Sequence, residues 1–246
     1  MLAFRFSYFL TIALSLLLSA CNQQQVKPLK DTDQLQLAEQ LLSETVYINT
    51  LFDQCASLGN DIELQAINLQ QDWLQKNWPL VAAADNYYSS QLRPSGFLYN
   101  GQLLSLEATL LAHQARQKAI EELNFAQRAH ANKERSCNLR LQNLAAQEID
   151  LSSRLPRKSR GFDLSAEQHT RVQIDRIPEL AYKETNLTDP GRSWFPLEAA
   201  FREECAQVEK LVLFNEWPRE AYAVYCNGRP LALMVCDWGE CARKTE

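Results

Sequence analysis

The sequence predicts an α+β protein, mainly α, and three observations carry that assignment. Apolar residues recur at helical spacing through the first 150 positions, and residues 102–150 contain neither Gly nor Pro while being rich in Ala, Leu, Gln, Glu and Arg, all good helix formers. From residue 211 onward, short apolar runs alternate with turn residues and meet at Asn227-Gly228, the strongest hairpin signal in the chain. The expected layout is a helical domain with a long helix at 34–150 and a basic linker with an irregular segment at 151–192. A C-terminal helix plus a three-stranded antiparallel β unit follows at 193–246.

Taken in order, Leu37, Ala38, Leu41, Ile48, Leu51, Phe52, Cys55 and Leu58 form one stripe of a helix over 33–58, which Gly59 ends as a C-terminal cap. Asn60-Asp61 caps a second helix to residue 78. Pro79 then marks a break or restart before a shorter helix at 80–92. Arg93-Pro94-Ser95-Gly96 and Asn100-Gly101 are turn chemistry. Over 102–150 one stripe holds Leu103, Leu106, Leu110, His113 and Ile120, and another Leu123, His130, Cys137 and Leu144 with Leu141 beside it. One helix over all of 102–150 would span ~70 Å. That exceeds what a compact core needs, so a break or a projecting coiled-coil arm is expected.

Residues 151–162 place Arg154, Arg157, Lys158 and Arg160 around Pro156, a basic linker that suits solvent or anionic headgroups. Ser193 caps a helix with Pro196 in its first turn, running to about residue 209. Strands follow at 211–214, 221–226 and 231–236, with residues 215–219 as the first turn.

Among 246 residues, 46% hydrophobic content and 9% aromatics argue against wholesale disorder, and a net charge of -5 excludes a general nucleic-acid binder. The seven cysteines are an odd number. The N-terminus accounts for it. Arg5 precedes the apolar run at 8–18, about the length of a secretory h-region and too short for a membrane span. Directly after it stands Leu18-Ser19-Ala20-Cys21, which resembles the lipobox of bacterial lipoproteins. The resemblance covers this signal only. It implies that residues 1–20 are removed, that Cys21 carries diacylglycerol and an acylated N-terminus, and that residues 21–33 are a lipidated tether. Several acyl chains anchor stably where one does not. Asn22, in place of the Asp that commonly retains this class at the inner membrane, implies the periplasmic face of the outer membrane. Cleavage removes one base and no acid, leaving 24 bases against 30 acids and a charge of -6.

Six cysteines remain for an oxidising compartment, where structural disulfides are the expected use. Cys55 lies on the apolar face of the first helix and Cys137 on that of the long one, so antiparallel packing pairs them. In the C-terminal unit, parity puts Leu231, Leu233 and Val235 on the face of Tyr222, Val224 and Cys226. The helix carrying Phe201 covers that larger apolar face and brings Cys205 to Cys226. Cys236 then points to the other face, with Cys241 as its partner.

The chain has no G-x-S-x-G, H-E-x-x-H, P-loop or G-x-G-x-x-G motif, and His113, His130 and His169 share no metal-ligand spacing. Neither a metal nor a cofactor is expected. Trp73, Trp78, Tyr87 and Tyr88 form a core group or a ligand groove. Trp217 and Arg219, in a strand-connecting turn, are the candidate partner contact. The functional expectation is a non-enzymatic structural or protein-interaction module of the envelope. It would be held to a membrane by its lipid and have an envelope protein as candidate partner. The alternatives are a hydrolase of cell-wall or lipid material using carboxylates or His113 and His130, and a lipid or small-ligand carrier.

Overall fold

The computed structural model describes residues 31–92, 96–99, 102–146, 151 and 190–244. Cys21, residues 22–30 of its tether, the basic positions 154–160 and His169 lie outside the described residues, whereas 31–33, expected in the tether, open the first helix. The fold is α+β and mainly α, with a four-stranded rather than three-stranded antiparallel sheet.

Helix α1 (Asp31–Ala56) ends where Gly59 and Asn60 both take positive φ, +77° and 58°, and the chain reverses into α2 (Asn60–Leu92). Pro79 lies inside α2 and does not break it. The reason is the buried stripe Trp73, Asn77, Val81, Ala84 and Tyr88, which runs unbroken past an exposed Pro79. Packing along that stripe offsets the ~3 kcal/mol a helical proline costs. Asn77 adds a tie, donating from Nδ2 to the Trp73 carbonyl at 2.9 Å while its Oδ1 accepts from the Leu151 N–H at 2.7 Å.

The predicted long helix is three pieces. Strands β1 (Phe97–Tyr99) and β2 (Gln102–Leu104) pair as a short hairpin, and Ser105 then caps α3 (Leu106–Leu123) by accepting from Ala108 N–H at 3.2 Å. At Asn124 the backbone turns left-handed (φ 50°, ψ 43°), a conformation that Asn tolerates better than most residues. A 3-10 turn (Phe125–Gln127) leads into α4 (His130–Ala146). Helices α1 to α4 enclose one core containing Leu41, Ile48, Phe52, Leu123, Leu141 and the Cys55–Cys137 disulfide.

Helix α5 (Trp194–Phe201) is shorter than expected, because Cys205 must turn back to bond Cys226. Strands β3 (Val208–Glu216), β4 (Arg219–Cys226), β5 (Arg229–Asp237) and β6 (Glu240–Arg243) form a simple meander. Asn227 and Gly228 both have positive φ, 51° and 71°, as a two-residue type I′ turn requires. The parity expected across this hairpin is corrected by a bulge. Cys226 pairs with Arg229 and Tyr225 with Pro230, but Val224 pairs with Ala232, so Leu231 is the extra residue. One inserted residue inverts every later side chain. Ala232, Met234 and Cys236 therefore join Tyr222 and Val224 beneath Leu197 and Phe201 of α5. Leu233 faces the other way with Ala221, Ala223 and Tyr225, against Leu104, Leu106 and Leu110. The Tyr225 hydroxyl donates to the Leu106 carbonyl at 2.9 Å, joining sheet to helical layer.

Candidate functional site

Two turns meet at one end of the sheet. Trp217-Pro218, joined by a cis peptide, closes β3–β4, and Trp238-Gly239 closes β5–β6 with φ of 54° and 88°. The Trp238 N–H donates to the Pro218 carbonyl at 2.8 Å, which locks the two turns together. Their indoles meet edge to face, with centroids 5.6 Å apart and planes at 81°. The Arg192 guanidinium lies 4.2 Å over the Trp217 ring. Trp217 remains 44% exposed and Trp238 69%. Phe195, in the first turn of α5, is 74% exposed. The cluster is a convex, aromatic, arginine-bearing tip.

Beneath it lies Glu220, 2% exposed. Its carboxylate accepts from the backbone N–H groups of Arg192 and Ser193, each at 2.9 Å, and from the Tyr222 hydroxyl at 2.6 Å. Burial pushes the Glu220 carboxyl up, but the bonds from Tyr222, Ser193 and Arg192 outweigh it and hold the group below the usual carboxylate range. Gly191 is required for this approach, since a Cβ there would stand 2.5 Å from Glu220 Cδ. The far side of α5 is fixed by Lys210, whose Nζ donates to the Trp194 carbonyl at 2.7 Å and to Glu198 Oε2 at 3.1 Å.

Of the predicted contact residues, Trp217 and Arg219 both stand at this end, Arg219 exposed and in register with Asp237. Sequence reasoning missed Trp238, Arg192 and Phe195. The Trp238-Gly239 pair carried a turn signal in its glycine, whereas nothing local marks Arg192 or Glu220. The six cysteines form Cys55–Cys137, Cys205–Cys226 and Cys236–Cys241, the pairs argued from faces and spacing. Cys236, however, points toward α5 and not away from it, and it meets Cys241 because the two are directly opposite in β5 and β6.

The other candidates disperse. His113 lines a cleft of about 530 Å³ between α3 and β3, beside Lys118, Glu121, Glu209 and Tyr225. Burial and then the Arg116 charge lower its pKa, while Glu209 opposes them. His130 is exposed at the start of α4, 3.4 Å from Glu134, and about 15 Å of α3 separates His113 from the break before it. The two histidines do not form a pair. Trp73 and Tyr88 are buried in the helical core, with Trp78 and Tyr87 packed against it, so this group is core, and Tyr88 also borders a cleft. A second cleft, about 550 Å³, runs between α1 and the Asn227-Gly228 turn, past Glu39, Tyr88, Glu107 and Pro230. Among the described residues no group of three metal-ligating side chains converges, and no helix is long and apolar enough to cross a membrane. No protein-family model matches the chain, and no curated protein or solved structure is detectably similar to it.

Proposed function

We propose that this chain is a lipid-anchored envelope protein that acts by contact, presenting the tip formed by Trp217, Trp238 and Arg192 to another envelope component. The observation that carries the reading is the exposed tryptophan pair. Large apolar side chains left in water are costly, and Trp and Arg are the residue types that dominate contact energetics. This pair is also held rigid from below by the Trp238–Pro218 hydrogen bond and by Glu220, so little entropy is lost when it is engaged. The lipobox at Leu18 to Cys21 supplies the membrane address, on the periplasmic face of the outer membrane, with Asn22 as the basis for that choice.

The reading is tested by placing a photo-reactive phenylalanine analogue at position 238 and irradiating intact envelopes. Labelling of an envelope component from position 238, well above that from Leu139, also exposed on α4, supports it. Equal labelling from the two positions, or none from 238, overturns it.

A further inference from the structure

The partner of the aromatic tip follows from its shape and chemistry. We infer that the tip inserts into the headgroup region of a phospholipid bilayer, as a second mooring point beside the N-terminal lipid. This rests on the contact reading above and names its partner.

Four observations favour a bilayer. First, Trp217 and Trp238 are two of the six large hydrophobic side chains left exposed among the described residues and meet at one end of the sheet, and a third, Phe195, follows two residues after the Ser193 that Glu220 holds. They project from two-residue turns and a helix start, so they form a knob; a bilayer accepts a knob without a matching pocket. Second, indole rings are the side chains that best suit the membrane–water boundary, with an apolar body and an N–H for headgroup oxygens. Third, Arg192 stands at the same end with its guanidinium over Trp217 and can take a phosphate, whereas Arg219 is set opposite Glu216 and Asp237. Fourth, Cys21 is ten residues from the start of α1, so a lipidated chain keeps a bilayer within about 35 Å of Asp31.

A sugar chain fits the tip less well. Stacking on sugars wants open, coplanar aromatic faces, yet the two indoles stand at 81° and one face of Trp217 is taken by Arg192. The mature charge of -6 opposes general adsorption to anionic lipid, and Glu216, Asp237 and Glu240 offset Arg192 and Arg219 at the tip, so the aromatic rings and not net charge supply the attraction.

The Gly228–Pro230 end of the sheet faces Glu39 and Ser43 in the N-terminal half of α1 across a cleft of about 550 Å³. The aromatic tip is at the opposite end, about 26 Å away along β4.

The test uses the detergent-extracted, lipid-bearing protein reconstituted into vesicles of phosphatidylethanolamine and phosphatidylglycerol with dibrominated acyl chains. The expected result is a blue-shifted tryptophan emission quenched by the bromines, with most of the quenching lost in Trp217→Ala/Trp238→Ala and retained in Trp78→Phe. Equal quenching in the double variant, or none in the parent protein, overturns the inference. Trp238→Glu alone alters an exposed turn position and must give a partial loss; non-reduced peptide mapping of the three disulfides checks that each variant is folded. Photo-labelling of a protein from position 238 without bromine quenching rejects the bilayer and leaves the contact reading standing. Absence of both rejects the two together.

Discussion

Glu220 and Arg192 are 28 positions apart, and the carboxylate of one fixes the backbone of the other through a 2.9 Å hydrogen bond. That bond, with its twin to Ser193, holds the 190–193 segment against β4 and sets the Arg192 guanidinium over Trp217. Glu220→Gln keeps the size but replaces one acceptor oxygen with a donor that faces N–H groups. A destabilisation of about 2–3 kcal/mol is expected, read from the urea midpoint. Gly191→Ala should cost at least as much, because its Cβ has no room. A neutral Glu220→Gln would show that the carboxylate does not hold the segment.

The same carboxylate gives an acid limb. Its folded pKa lies below the ordinary carboxylate value, so its contribution is present above the unfolded pKa and is lost as pH falls through the folded one. Unfolding midpoints between pH 5 and pH 2 should fall more steeply in the parent chain than in Glu220→Gln. Parallel curves would contradict this.

Asp85 is the opposite case. Burial raises its pKa to about 6 despite a hydrogen bond donated by Ser89. The folded state binds the proton more tightly than the unfolded one, so stability declines as pH rises from about 4 to 6. Asp85→Asn removes the ionisation and should stabilise the protein by roughly 1–2 kcal/mol at pH 8, with little gain at pH 3.5. A gain of equal size at both pH values would assign the effect to packing.

Much of the helical layer was legible in the chain because its signals are local and periodic. The stripe from Leu37 to Leu58 and the Gly59 stop describe α1 closely. The length of the 102–150 run signalled a break or an arm but not its place, because the punctuation is a left-handed Asn124 and not a glycine or proline. Pro79 misled because proline acts on the local helix, whereas burial of Trp73, Asn77 and Val81 acts through the whole layer. The sheet was harder. A single bulged residue, Leu231, inverted the facing of β5, and β6 was missed because Glu240–Arg243 is four residues long with polar ends. Of the tip, the turn residues Trp217 and Arg219 were readable. Arg192 and Glu220 were not, since a long-range contact leaves no spacing to read.

The disulfides should rank by the loop each closes. Sequence separations are 82 for Cys55–Cys137, 21 for Cys205–Cys226 and 5 for Cys236–Cys241. Chain-entropy reasoning gives stabilisations of about 4, 3 and 2 kcal/mol in that order. Paired Cys→Ala variants should lose melting temperature in the same order, and the largest loss at Cys236/Cys241 would show that native contacts outweigh loop closure.

The anchor is tested on its own cysteine. Cys21→Ala should abolish incorporation of labelled fatty acid and leave an uncleaved or soluble form. Unchanged labelling would reject the lipobox reading, and with it the tether argument for the tip.

Asn124 distinguishes a broken helix from a continuous one most directly. Its φ of 50° is left-handed, and its N–H donates to the Ile120 carbonyl as the last bond of α3. Alanine is the best helix former, so in a continuous 102–150 helix Asn124→Ala would stabilise by a few tenths of a kcal/mol. At a left-handed position the same change keeps the strained Cβ but removes the short polar side chain whose local hydrogen bonding lets Asn tolerate that conformation, and should cost up to about 1 kcal/mol. Asn124→Gly, which has no Cβ to strain, should be neutral or slightly stabilising there, yet would cost up to about 1 kcal/mol inside a helix. Opposite signs for the two variants in thermal unfolding are expected, with glycine the more stable. Alanine above glycine would mean that α3 and α4 are one helix and that the Cys55–Cys137 staple closes on a straight rod.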